Sequence, residues 1–180
     1  ATGEWLAPVA GTFEALVSSP VRRTRETAGI LAQFFDLEGE VEDGIAGMGF
    51  RAWDGRSFTE VHEKRPDEMS AWLGDLESAP HGGESFRAVE QRVLEGRDRM
   101  VASYAGQTVV VVSHVTPIKT LVAEALTAPL ESVFRMQLSP ASVTVLSFFP
   151  DVDGQSRASM RLYNARPPGD DAFSPAASAW

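Results

Sequence analysis

Apolar positions along this 180-residue chain alternate between short β-branched runs and helical stripes. Trp5, Leu6 and Val9 stand at helical spacing with no capping residue before them, so the chain reads as starting inside a helix. Residues 13–18 alternate loosely and end in Ser-Ser-Pro, which predicts a strand running into a helix that lasts to about Phe35. Ile30, Leu31, Phe34 and Phe35 are its expected buried side. A short edge strand is expected over 38–42, then an irregular glycine-rich stretch over 43–55, with two short helices flanking Pro66. The second of these places Met69, Trp72 and Leu73 on one face. After a loop over 79–83, Phe86, Val89, Val93, Met100, Val101 and Tyr104 stripe a long helix over 84–104 that Gly106 ends. Residues 108–113 form an unbroken β-branched run, the pattern of a parallel strand buried on both faces. A helix over 116–126 comes next, then strands over 142–149 and 159–163 form a hairpin around 151–155. Strands alternating with helices make this an α/β fold in one domain over 1–166, with a flexible tail over 167–180 rich in Pro, Gly, Ser and Ala.

Composition narrows the function. Sixteen Lys and Arg against 25 Asp and Glu give a net charge of -9. That disfavours direct nucleic-acid binding, which needs a basic face, yet leaves room for a small anion in a locally basic pocket. With no cysteine, disulfides, thiolate metal sites and cysteine nucleophiles are excluded. No apolar run approaches the ~20 residues of a membrane span, and no signal-peptide pattern opens the chain; a cytoplasmic protein without membrane partners is expected.

Two junctions share one design. In Ser18-Ser19-Pro20-Val21-Arg22-Arg23-Thr24 a strand ends, Ser19 is placed to cap a helix, and Pro20 occupies its first turn. In Val112-Ser113-His114-Val115-Thr116-Pro117 a second strand ends and a second helix begins. Each junction aims unpaired backbone N–H groups and a positive helix end at the C-terminal edge of a parallel sheet, where open α/β sheets bind ligands. An arginine from one and the imidazole of His114 from the other would converge on an anion, most naturally a phosphoryl group. Taken singly, an Arg-rich first turn is ordinarily a solvated face, whereas a titratable His114 at the end of a buried strand needs a partner. His62 reads as exposed on a charged helix, His81 as a loop residue that could flank a pocket, and neither has metal-ligand spacing with another histidine. Phe50 and Trp53 read as core or pocket wall.

These motifs, in this order, resemble the histidine phosphatase, or phosphoglycerate mutase-like, superfamily. Residues 19–28 resemble its Ser-Pro-Leu-x-Arg-Ala-x-x-Thr-Ala signature, and Phe50-Arg51-Ala52-Trp53-Asp54-Gly55 its Phe-Gly-x-Trp-Glu-Gly element. Gly82-Gly83-Glu84-Ser85-Phe86, with Arg92-Val93 after it, resembles Gly-Gly-Glu-Ser before the long helix; Val112-Ser113-His114 resembles the strand carrying the second catalytic histidine. The Ser-His-Val-Thr-Pro-Ile-Lys form is similar to the phosphatase domain of actinobacterial proteins that join it to a ribonuclease H domain.

The resemblance implies a three-layer fold, a mostly parallel sheet flanked by helices, and phosphomonoester hydrolysis through a phosphohistidine. It implies Arg23 as a phosphate-binding arginine and His114 as the second catalytic histidine, with Ser19, Glu84, Val115 and Trp53 at the phosphate pocket. No cofactor or metal is expected, because arginines, imidazole and helix dipoles supply the positive charge. The partner is a small phosphorylated substrate or inorganic phosphate; sugar phosphates, α-ribazole phosphate and broad specificity stay open, as does a homodimer. Two departures stand out. The family's nucleophile, a histidine within Arg-His-Gly on a central first strand, has no counterpart here, so roughly 40 further residues are expected upstream, neighbouring strands are expected unpaired, and the chain as given is expected to be inactive. Three positions before Phe50, where the family usually carries its acid Glu, stands Gly47; Asp54, Glu84 or Asp43 are the candidate substitutes, and without an acid only good leaving groups should be turned over well. The alternatives are a non-catalytic phosphate-binding or scaffolding domain, or the phosphatase half of a bifunctional ribonuclease H protein.

Overall fold

β1 (Ala15–Ser18) is the hub of a three-stranded parallel sheet of order β2-β1-β3, with β2 at Gly39–Val41 and β3 at Val109–Val112. The register sets Ser18 beside Val41 on one side and beside Val112 on the other, so β1 and β3 end level with each other. β1 is the buried strand, Leu16 and Val17 being all but inaccessible. β4 (Val143–Val152) and β5 (Gln155–Ala165) form a separate antiparallel ribbon with three register irregularities. The computed structural model describes residues 1–152 and 155–169. The tip of the hairpin at 153–154, and the expected tail from residue 170 onward, lie outside the described residues.

The four valines of β3 carry the pattern of a strand buried on both faces, but Val109, Val110 and Val112 are half-buried and Val111 is 38% exposed. Burial on both faces requires neighbours on both edges. β3 has one: among the described residues only β1 pairs with it, which agrees with the expectation of an unpaired strand.

Helix α1 (Thr2–Leu6) leads through a 3₁₀ segment, Ala7–Thr12, into β1. α2 (Arg22–Phe35) comes after β1 and buries Thr24, Ala28, Leu31 and Phe35, a stripe of 4, 3 and 4 residue steps. Ile30 and Phe34, expected inside, fall off that stripe and are exposed; Phe34 instead lies over Gly3, where a Cβ would come within 2.6 Å of its ring. α3 (Phe58–Lys64) opens on a Ser57–Glu60 capping box, and Pro66 begins α4 (Pro66–Gly74). α4 buries Met69 and Trp72 and leaves Leu73 exposed.

The long helix α5 (Phe86–Ser103) is capped by Ser85 and buries Phe86, Val89, Val93, Gly96 and Arg97. Its stripe thus passes through Gly96 and Arg97 rather than Val101, which is exposed. Phe86, Val89 and Val93 join Met48, Trp53, Val61, Met69, Trp72, Leu130 and Val133 in the main apolar cluster. Each such side chain contributes about 1.5–3 kcal/mol by leaving water. Trp53 is one of these core residues, stacked with Phe50 and edge-on to Trp72, its indole N–H donating to Glu68; it is not a pocket wall. α6 (Val115–Ala125) starts directly after β3 and packs against α5, and no helix of the described residues is long and apolar enough to cross a membrane.

Candidate active site

Because β1 and β3 run parallel and end level, the first residues beyond them must lie side by side. Ser19 N donates to Val112 O, and the Ser19 hydroxyl sits 2.7 Å from His114 Nε2. Arg23, one turn into α2, places Nη2 2.8 Å from His114 Nδ1. These contacts fix the protons. Guanidinium only donates, so Nδ1 is the acceptor and the imidazole carries its hydrogen on Nε2. Nε2–H donates to Ser19 Oγ, whose hydroxyl in turn donates to Thr24 Oγ1 at 2.6 Å, and Thr24 donates to Val21 O at 2.7 Å. Ser19 and Thr24 are buried, so the chain is closed and directional. Burial, and then the positive charges of Arg23 and Arg92, pull the His114 pKa down to about 4, in agreement with a neutral ring.

Ser19 therefore does something other than expected. Val21 is the N-cap of α2, and no side chain caps it; only a 3.4 Å contact from Val21 N reaches the Ser19 hydroxyl, which is taken up by His114 and Thr24. α6 likewise begins at His114 without a side-chain cap, and Val115, half-buried, is its first residue. Two helices of 14 and 11 residues thus direct uncapped N-termini toward one edge of the sheet. Arg23 is exposed and has no carboxylate partner among the described residues, whereas Arg22 is held by Glu26.

The loop beside His114 is organised by Arg92, to which the amino-acid pattern alone assigns no role. Its Nε donates to Glu84 Oε1 at 2.7 Å; Nη1 to Gly44 O and Ala46 O, both at 2.8 Å; Nη2 to Glu84 Oε2 at 2.9 Å and Gly47 O at 3.0 Å. All five N–H groups are used. Arg92 supplies charge to the site but keeps no donor for a ligand. Glu84 also accepts from Gly49 N at 2.8 Å; burial opposes its ionisation, but Arg92 and the Gly49 N–H prevail and hold its pKa below the usual carboxylate value. Glu84 is thus a clasp between the two loops. Gly83 permits the clasp, since a Cβ there would meet Gly49 O at 2.7 Å.

Gly47 touches the site itself: a Cβ would lie 3.1 Å from His114 Cγ, 3.2 Å from Nδ1 and 3.3 Å from Arg23 Nη2. Asp43 and Asp54 are exposed and hydrogen-bond none of these residues, and His62 and His81 are exposed as well. Arg23 and His114, expected to converge on an anion, stand within hydrogen-bonding distance of each other. Thr24 escapes a reading by pattern because a threonine in a helix's first turn has nothing to distinguish it. Arg92 could have been found from its place two helical turns beyond Glu84. What the arrangement offers an anion is one guanidinium without a carboxylate partner among the described residues and two helix ends, backed by the charge of Arg92.

A family model described as histidine phosphatase superfamily (branch 1) matches residues 1–158. The bifunctional protein Rv2228c of Mycobacterium tuberculosis is 42% identical over 154 residues, which are 86% of this chain and 41% of that protein. This chain therefore spans about two fifths of the relative's length. Phosphoserine phosphatase 1 of Hydrogenobacter thermophilus is 32% identical over 139 residues, 74% of this chain and 64% of that one. Among solved structures, the mycobacterial glucosyl-3-phosphoglycerate phosphatase Rv2419c with VO3 superposes with a TM-score of 0.78 at 28% identity, covering 92% of this chain and 84% of its own. The same phosphatase has also been solved with inorganic phosphate.

Proposed function

The chain belongs to the histidine phosphatase superfamily, and on that premise we propose that the domain hydrolyses phosphomonoesters through a phosphohistidine, as part of a longer polypeptide that supplies the nucleophile. The observation that carries this is the meeting of Arg23 and His114 at 2.8 Å beneath two uncapped helix N-termini. In this reading Arg23 releases His114 when the phosphoryl group arrives and turns its donors to the equatorial oxygens. The N-termini of α2 and α6 meet the charge that spreads over those oxygens in the transition state. His114, aimed by Ser19, offers its Nδ1 side to the anion. Arriving negative charge offsets the effect of Arg23 and favours protonation of the ring, so His114 becomes a second donor only when substrate is present.

The vanadate and phosphate complexes of Rv2419c support a tetrahedral or trigonal oxyanion as the ligand class. The open edge of β3 is where a further parallel strand bearing the nucleophile would hydrogen-bond. The bifunctional character of Rv2228c supports a second activity elsewhere in the longer protein, a ribonuclease H domain in our reading, and a cytoplasmic location suits both. The test is turnover of p-nitrophenyl phosphate by the complete protein. His114→Ala should lower kcat/KM by at least about 100-fold, the scale of losing one oxyanion-binding donor. Unchanged turnover in His114→Ala would remove the reading. A second reading, a phosphate-binding domain without turnover, is favoured by Gly47; phosphate-dependent thermal stabilisation with no hydrolysis would establish it.

A further inference from the structure

Among the described residues, the hydrogen bonds of the resting site account for the protons of His114, Ser19, Thr24 and Glu84, and this bears on what the site can cleave. The ring receives Arg23 at Nδ1 and gives its one hydrogen to Ser19. Ser19 and Thr24 pass theirs on to Val21 O, away from the Arg23 side. Glu84 is clamped by Arg92 at both oxygens and by Gly49 N, contacts that only the carboxylate can accept in full. Among the described residues no carboxyl group hydrogen-bonds Arg23 or His114. The position from which a side chain would enter between those two residues is Gly47, whose backbone is pinned by Arg92 and whose only side group is hydrogen.

Resting on the phosphatase reading above, we propose that this site is selective for phosphates whose leaving group departs as a stable anion, namely acyl phosphates, phosphoanhydrides and aryl or enol phosphates, and discriminates against alkyl phosphates. In the first step the nucleophile's lone pair forms the new bond to phosphorus. The P–O bonding pair goes to the leaving oxygen, which departs as carboxylate, phosphate or aryloxide with no proton transferred. In the second step water attacks phosphorus, the P–N pair returns to the nitrogen, one water proton passes to that nitrogen or to solvent, and inorganic phosphate leaves. Departure of an alkoxide needs a proton in the transition state, and the described residues place no carboxylic acid to give one; in this reading a protonated His114 is engaged by the phosphoryl oxygens rather than by the leaving group. The selectivity sets this domain apart from a phosphoserine phosphatase such as the Hydrogenobacter relative, whose named substrate is an alkyl phosphate.

The experiment compares kcat/KM of the complete protein for acetyl phosphate, a series of substituted phenyl phosphates and O-phosphoserine. Positioned acid catalysis ordinarily contributes about 10²–10⁴-fold, so alkyl turnover should fall short of aryl and acyl turnover by at least that factor, with a steep dependence on leaving-group pKa. Gly47→Glu should raise alkyl turnover by about 10²-fold and flatten the dependence, while the isosteric Gly47→Gln should not. Should either variant fail to fold, the wild-type series alone decides. A shallow dependence with efficient phosphoserine hydrolysis overturns the inference and leaves the phosphatase reading standing. No hydrolysis of any member, acetyl phosphate included, overturns both.

Discussion

Acidification should destabilise this protein through His114, and the size of the effect can be worked from its surroundings. The ring is half-buried between Arg23 and Ser19, and its pKa falls from 6.5 to about 4 on folding. A depressed histidine pKa means that the unfolded chain binds the proton more readily. The penalty is therefore absent above pH 6.5, grows as pH falls from 6.5 toward 4, and saturates below that. Between pH 7 and 4.5 the part of this shift that is expressed amounts to about 2 kcal/mol. Solvent access to the ring reduces this to about 1–2 kcal/mol. Glu84 and Glu42, whose pKa values are lowered, also lose stabilisation in acid, but they are common to wild type and a His114→Gln variant and cancel in the comparison. Urea unfolding at pH 7 and at pH 4.5 should therefore show wild type losing about 1–2 kcal/mol more than His114→Gln, a difference near 0.5–1 M in midpoint for a slope of about 2 kcal/mol/M. NMR titration of the His114 ring gives the same information directly. A midpoint near 6.5, or identical acid sensitivity in the two proteins, would refute the proton assignment.

Other expectations rest on the same contacts. Ser19→Ala leaves the His114 Nε2–H without its buried acceptor and should cost about 1–3 kcal/mol in urea unfolding, with ¹⁵N shifts showing a mixture of ring tautomers. Arg92→Lys keeps the charge but cannot reproduce five hydrogen bonds, so it should destabilise by at least about 2 kcal/mol, read as a fall in Tm, and raise amide hydrogen exchange at Gly44, Gly47 and Gly49. Arg23→Gln should weaken inorganic phosphate binding at least about tenfold by calorimetry, with little effect on Tm because the side chain is exposed and unpaired with any described carboxylate.

Much of the fold is legible in the amino-acid pattern because its strands are short apolar runs and α3, α4 and α5 open on Pro or a capping Ser. The two junctions are legible for the same reason: strand, turn and Pro in sequence leave the chain little choice but to begin a helix. That β1 and β3 are neighbours cannot be read from either segment alone, and only that adjacency brings Ser19 to His114. Ser19 resembles a cap because Ser before Pro ordinarily is one; a half-buried imidazole competing for the same hydroxyl overrides the local preference. Ile30, Phe34 and Val101 fall outside the core they were expected to join because several apolar residues at helical spacing permit two stripes, and packing against α1, β1 and α6 selects one. Glu84 reads as a pocket residue because its motif precedes the long helix, and its engagement by Arg92 depends on a loop–helix contact between residues 44–47 and α5.

The central claim is that Arg23, His114 and the N-termini of α2 and α6 form one phosphoryl-binding site. A crystal structure of the complete protein with orthovanadate tests it most directly. The account predicts the vanadium within reach of both Arg23 and His114, with Arg23 turned from the ring to the anion and Arg92 still holding Gly47 and Glu84. Vanadate bound elsewhere, for instance in the shallow depression bordered by Pro20, Arg22, Arg25 and Glu26, with the Arg23–His114 contact intact, would contradict it.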